Sequence, residues 1–203
     1  MTGGERTRAP LTVVIAGGGT GGHLYPGIAV ARELLARVPD ARVSFAGTAQ
    51  GIEARVVPRE GFALDLIRSG GLKGKSLAAR TRGLALLPLG AGDTWRLLSN
   101  RRPHVVIGVG GYSSGPVMAL AALRGIPTLL LEQNAVPGLT NRLLAPLVRA
   151  AAVTYDVTLP FFKGKGFVSG NPVRSTFFES DRVDPHDEPA APVRVLIFGG
   201  SQG

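Results

Sequence analysis

The chain has 203 residues, 44% of them hydrophobic, a formal charge of +9 and no cysteine. That length suits one large α/β domain, or one domain with a fragment of a second. The missing cysteine excludes disulfides and thiolate chemistry, and no run of about 18 apolar residues offers a membrane-spanning helix.

Residues 1–10 are polar and read as a flexible tail, with no secretory signal. Leu11 to Ala16 is an unbroken apolar run with β-branched Val13, Val14 and Ile15, which predicts a strand covered on both faces. Gly17, Gly18, Gly19, Gly21 and Gly22 follow, and a helix is expected to begin near Pro26. Apolar residues at helical spacing carry it through Gly27 to Val38. Arg42 to Gly47 reads as the second strand, Ile52 to Arg59 as a short helix and Phe62 to Ile67 as the third strand.

The next span is basic and rich in leucine. From Arg68 to Arg102 the cations Arg68, Lys73, Lys75, Arg80, Arg82, Arg96, Arg101 and Arg102 face one acid, Asp93. Leu72, Leu77, Leu84, Leu86, Leu87, Leu89, Leu97 and Leu98 are interleaved, and Trp95 is the lone aromatic. Few aromatics argue against base stacking, hence against nucleic acid, and leave an anionic membrane surface as the partner. The alternative is that the leucines pack on the sheet while the charges face solvent. Two helical pieces are expected here, broken around Pro88 and Gly90 to Gly92.

Val105 to Val109 reads as a fourth strand, Gly110 to Pro116 as a second glycine loop and Val117 to Arg124 as a helix. Thr128 to Leu131 is a fifth strand, closed by Glu132-Gln133-Asn134 as a turn, with a helix from Gly138 to Val148 and a sixth strand from Ala150 to Thr154. Alternating strands and helices imply a doubly wound parallel, Rossmann-like sheet, with ligands at the carboxyl ends of the strands where the glycine loops fall. The domain is expected to span residues 11–178. Residues 179–192 read as an acidic, proline-bearing linker, and residues 193–203 as the first strand and glycine loop of a truncated second domain.

Gly17, Gly19 and Gly22 formally satisfy a dinucleotide fingerprint, but the second strand ends Phe45-Ala46-Gly47-Thr48, with no acid to hold a ribose before Glu53. No Walker lysine is present either. The loop is therefore read as an anion cradle of another kind, bare amides beside a helix N-terminus. His23 stands at its edge, either as a helix cap or as a neutral imidazole suited to take a proton from a sugar hydroxyl. The second loop repeats the logic with Gly110, Gly111, Tyr112, Ser113 and Ser114, whose hydroxyls can donate to phosphate. Glu132, Asn134 and Asn141 lie at the same rim, where turn and capping chemistry explains them equally well. Arg174, in Gly170-Asn171-Pro172-Val173-Arg174, is a cation on a stiffened turn. Three scattered histidines offer no metal site, so no metal or cofactor is expected.

GGGTGGHLYPGIAVA, GGYSSGP, LEQNAVPGLTN, GNPVR and FGGSQG occur in this order and closely resemble the MurG family of bacterial peptidoglycan synthesis. The resemblance runs from Leu11 onward. It implies the N-terminal, acceptor-binding half of an inverting GT-B glycosyltransferase that moves N-acetylglucosamine from UDP-N-acetylglucosamine to undecaprenyl-diphosphate-linked muramoyl-pentapeptide. It implies donor contacts from Thr20, Gly21, Gly22, Asn134, Arg174 and Ser201. The acceptor diphosphate would be held by Gly18, Gly19, Gly110, Gly111, Tyr112 and Ser113, with His23 as base. It also implies a peripheral place on the inner face of the plasma membrane. One departure is Leu131, where many members have histidine. The alternatives are another GT-B enzyme acting on a lipid or small molecule, and a non-catalytic acceptor-binding or membrane-docking fragment.

Overall fold

The computed structural model describes residues 9–70 and 87–174. Seven strands form one sheet there, in the order β3-β2-β1-β4-β5-β6-β7, with every pairing parallel. They are β1 Thr12–Gly17, β2 Arg42–Gly47, β3 Ala63–Leu66, β4 Val105–Gly110, β5 Thr128–Glu132, β6 Ala150–Val153 and β7 Gly166–Val168. The helices are α1 Gly21–Arg37, α2 Glu53–Arg59, α3 Leu87–Arg101, α4 Ser114–Leu123 and α5 Leu139–Leu144, with a 3₁₀ helix at Asp156–Phe162. The doubly wound expectation holds. The chain runs outward through β1, β2 and β3, then returns to place β4 beside β1, which opens a crevice between those two strands.

The period of two along each strand divides the core between the two faces. Val14, Ala16, Val106, Leu130, Ala151 and Val153 point to one side, under Leu97 and Leu98 of α3 and Val117, Met118 and Ala121 of α4. Val13, Ile15, Ile107, Val109, Leu131 and Ala152 point to the other, under Leu24, Ile28 and Ala31 of α1. Gly27 lets α1 lie close to the sheet, since a Cβ there would stand 3.2 Å from both Ile15 and Val109.

Several elements differ from the sequence expectation. Helix α1 begins at Gly21, well before Pro26, so that His23 belongs to its first turn and not to the loop. Pro26 has no N–H to return to the Gly22 carbonyl, but Gly22 is exposed and nothing crowds its Cβ side, so the first turn tolerates the gap. Helix α3 is one continuous helix through Pro88, Gly90 and Gly92, not two pieces. Pro88 occupies its second position, where no N–H is required, and at Gly90 a Cβ would come within 2.2 Å of the Arg68 carbonyl oxygen. Helix α4 starts at Ser114, ahead of Val117. Helix α5 stops at Leu144, before Val148, because Pro146 interrupts the hydrogen-bond ladder. The 3₁₀ helix and β7 were not anticipated; Phe162 of the former is 1% exposed and joins the α3–α4 side of the core.

The leucine-rich span divides. Leu97 and Leu98 are buried in the core, as the sheet-packing alternative requires, whereas Leu89 and Trp95 are exposed. Arg68 pairs with Asp93 and Arg101 with Asp65. Lys73, Lys75, Arg80, Arg82, the expected linker 179–192 and the strand and loop at 193–203 lie outside the described residues. No helix among the described residues is long and apolar enough to cross a membrane.

Candidate functional site

The two glycine loops meet at the carboxyl ends of β1 and β4, and their backbones interlock. A Cβ on Gly111, whose φ is +82°, would stand 2.3 Å from the Gly18 carbonyl oxygen, so only glycine fits there. Beside this contact the first turn of α1 presents Thr20, Gly21, Gly22 and His23. Helix geometry leaves its first amides without intrahelical partners. No described group accepts from Gly21 or Gly22, and Gly22 is exposed, so these two N–H groups are offered outward.

His23 is held on two sides. Its Nδ1 lies 3.0 Å from Thr20 Oγ1, which is why Thr20, the N-cap residue, makes no side-chain capping bond. The other edge of the ring lies against Gly110, where a Cβ would be 2.7 Å from Cδ2 and 3.1 Å from Nε2. Burial lowers the His23 pKa from its ordinary value of 6.5, and the negative charge of Glu132 opposes this only in part. The imidazole is thus neutral at pH 7. In the tautomer that carries its hydrogen on Nδ1 and donates it to Thr20 Oγ1, the Nε2 lone pair is left to accept a proton.

Glu132 ends β5, 2% exposed, and gathers the rim around itself. It accepts from Asn134 N–H and Nδ2, both at 2.9 Å, from Gly138 N–H at 3.1 Å and from Asn141 Nδ2 at 2.9 Å. Thr158 of the 3₁₀ helix donates to the Asn134 or Ala135 carbonyl, which ties that otherwise unexpected element to the same loop. Asn141 is buried and also donates to the Leu131 carbonyl, whereas Asn134 stays exposed. Leu131 lies in the core under α1.

Tyr112 stands over Gly19, with its ring edge 3.2 Å from where a Cβ would be, and its hydroxyl is 3.3 Å from Thr48 Oγ1. The two serines behave otherwise than their sequence context suggests. Ser113 and Ser114 are 0% exposed and their hydroxyls have no hydrogen-bond partner, so neither faces the open crevice. Gly19 is likewise committed inward: its N–H donates to the buried carboxylate of Glu53 at 2.9 Å. Glu53 enters the sequence reading only as an acid too late in the chain to serve a ribose; its partners come from two segments, Thr48 nearby and Gly19 in the distant first loop.

Arg174 arrives at α1, its guanidinium 4.8 Å from the centre of the Tyr25 ring, so the Gly-Asn-Pro-Val-Arg segment ends beside the first glycine loop. Ser201 lies outside the described residues. The structure therefore brings Gly18, Gly19, Thr20, Gly21, Gly22, His23, Gly110, Gly111, Tyr112, Glu132, Asn134, Asn141 and Arg174 to one end of the sheet. His104 is elsewhere: its Nδ1 accepts from the Thr12 amide and secures the start of β1.

Comparison with known proteins places this geometry. Residues 13–153 match the model of the glycosyltransferase family 28 N-terminal domain. A UDP-N-acetylglucosamine--N-acetylmuramyl-(pentapeptide) pyrophosphoryl-undecaprenol N-acetylglucosamine transferase of Anaeromyxobacter dehalogenans is 48% identical over 194 residues, covering 95% of this chain and 50% of its own. A protein of the same name from Myxococcus xanthus is 45% identical over 196 residues, with the same two coverages of 95% and 50%. The crystal structure of Acinetobacter baumannii MurG superposes with a TM-score of 0.69 at 28% identity, over 89% of this chain and 48% of that one. The chain spans about half the length of the curated relatives it matches. With a doubly wound sheet, paired glycine loops at its switch point and a family model that covers β1 through β6, the chain belongs to glycosyltransferase family 28, whose N-terminal domain it contains.

Proposed function

We propose that residues 11–178 form the acceptor-binding domain of an inverting hexosyltransferase that moves N-acetylglucosamine from UDP-N-acetylglucosamine to the muramoyl 4-hydroxyl of undecaprenyl-diphospho-muramoyl-pentapeptide. The observation that carries the reading is His23: a neutral imidazole, oriented by Thr20, at the mouth of a helix whose Gly21 and Gly22 amides face outward. Its Nε2 takes the 4-hydroxyl proton as that oxygen bonds to the anomeric carbon. The bond from that carbon to the UDP oxygen breaks on the opposite face, and its electron pair leaves with UDP, which inverts the configuration. Charge developing on UDP is met by helix-terminal amides and by cations such as Arg174. Asn134, held by Glu132, and Ser201 complete the donor contacts, while the backbone around Gly18, Gly110 and Gly111 shapes the acceptor side. Residues 179–192 link this domain to a donor-binding half that begins at residue 193.

The acceptor lies in a membrane, and one face of the domain suits that setting. Leu89, Trp95 and Leu123 are exposed by 46%, 55% and 75%, and Arg124 stacks on Trp95 at 4.6 Å from the ring centre. Arg96 of the same helix as Leu89 and Trp95 is exposed as well, so this part of the domain offers both apolar side chains and cations to a partner, suited to the anionic inner face of the plasma membrane in cell-wall synthesis and growth.

A radiolabelled-sugar transfer assay tests the reading. A full-length protein carrying this chain as its N-terminal half transfers label from UDP-N-acetylglucosamine to the lipid-linked muramoyl acceptor, and residues 1–203 alone do not. Label appearing on a different acceptor, with none on the muramoyl lipid, would move the protein to another GT-B activity. Robust transfer by residues 1–203 would overturn the division of labour between the halves.

A further inference from the structure

Glu53 lies outside every motif named above, and the transfer chemistry leaves it unused. It sits at the start of α2, 0% exposed, and pairs with no cation among the described residues. Oε2 accepts the Gly19 N–H at 2.9 Å; Oε1 accepts the Thr48 N–H at 2.9 Å and the Thr48 hydroxyl at 3.0 Å. Each of these neighbours is a donor, so a carboxylate satisfies both ends whereas an amide must turn its NH₂ against one of them. Three glycines make the room. A Cβ on Gly18 would lie 2.3 Å from Oε2, one on Gly47 2.4 Å from Cγ, and one on Gly51 2.1 Å from Oε2.

The relay continues past Glu53. Thr48 has one hydroxyl proton, and it goes to Glu53; the same oxygen can therefore only accept from the Tyr112 hydroxyl, 3.3 Å away. Tyr112 in turn covers Gly19 and is anchored through its carbonyl, which accepts from Ser69 Oγ at 3.2 Å. We propose that Glu53 is a positioning residue that locks the two glycine loops together and, through Thr48, turns the Tyr112 proton inward, so that Tyr112 meets the substrate as a hydrogen-bond acceptor. Its outward lone pairs repel a phosphate oxygen and suit an N–H or O–H of the acceptor's sugar or peptide. The Gly19 amide is likewise withdrawn from any anion, whereas those of Gly21 and Gly22 stay available. The assignment of Tyr112 to the acceptor rests on the transferase reading; the relay does not.

The test uses the 203-residue chain and two spectroscopic readouts. Amide hydrogen exchange by NMR should show Gly19 and Thr48 protected in the parent. In Glu53→Gln, protection at one of the two sites should fall roughly tenfold to a hundredfold, the worth of one hydrogen bond to a charged group. Raman spectra of the tyrosine Fermi doublet, with Tyr112→Phe subtracted to remove Tyr25 and Tyr155, should report Tyr112 as a donor. Thr48→Val, which removes the hydroxyl but keeps the residue 48 N–H on Glu53 Oε1 and leaves Oε2 to Gly19, should abolish that donor signature while leaving Gly19 protected. Unchanged exchange in Glu53→Gln would overturn the lock. An acceptor signature for Tyr112 in the parent, or a donor signature that survives Thr48→Val, would overturn the orientation. Neither readout depends on turnover, so failure of the transfer assay and failure of the relay are separate results.

Discussion

Glu53 and Glu132 are both carboxylates sealed from solvent near the carboxyl ends of strands, and both are satisfied by hydrogen-bond donors instead of cations. They do different work. Glu132 draws its donors from Asn134, Gly138 and Asn141, a single segment that it folds into a rim. Glu53 joins Gly19 to Thr48 and, through Thr48, to Tyr112, and so connects loops far apart in the chain. Glu132 also acts on His23 through its charge, whereas burial and Glu132 are the influences that set the His23 pKa and Glu53 is not among them. One carboxylate shapes a loop and acts on the His23 imidazole; the other joins the first glycine loop to Thr48.

Three experiments sharpen this division, beginning with the largest effect. His23→Ala in the full-length protein should lower turnover by about 10²–10⁴, the usual contribution of a general base. The urea midpoint should change little, because His23 is only half-buried. Unchanged turnover would remove His23 as base and leave Glu132 with a purely architectural role. Next, Glu132→Ala should destabilise the domain by roughly 3 kcal/mol, since it leaves several inward donors without an acceptor. Equilibrium urea unfolding measures this, and a loss well under ~1 kcal/mol would mean that water replaces the carboxylate and that the rim is not built on it.

The smallest effect is a pH dependence. The folded-state pKa of His23 is lowered beneath the unfolded value of 6.5. Between those two values the unfolded chain binds the extra proton, so stability rises with pH across that window and is lost as pH falls through it. Above 6.5 the contribution is complete. Urea midpoints across this range should therefore slope less in His23→Gln than in the parent. Glu132→Gln should lower the His23 pKa further, as the opposing negative charge is gone, and NMR titration of the imidazole would show it. A rise would mean that another group governs His23.

The contrast between the carboxylates also explains what was legible. The Glu132 cluster lies within ten residues of chain, so the sequence alone sets Glu132, Asn134 and Asn141 together as rim candidates. Glu53 has Thr48 close by in the chain, but its link to Gly19 spans 34 residues, and no local pattern announces it. Ser113 and Ser114 show the opposite failure: their place in a glycine loop suggested phosphate donors, but the start of α4 at Ser114 carries both hydroxyls into the interior. Leu89 and Leu98 belong to one helix and one leucine-rich run, yet the turn of α3 exposes the first and buries the second. β7 is three residues long with two of them exposed, too short to leave a periodic signal.

What the sequence determined by itself is the alternation of strand and helix, the parallel sheet, and the placement of glycine loops and His23 at its ligand-bearing edge. These follow from apolar periodicity and from glycine, which act over a few neighbouring residues. Only the tertiary structure decided which amides turn outward, which hydroxyls are sealed, and which carboxylate holds the loops together. Those outcomes depend on donors and acceptors from distant segments meeting in a dry interior, where each polar group must find a partner and the direction of one hydrogen bond sets the next.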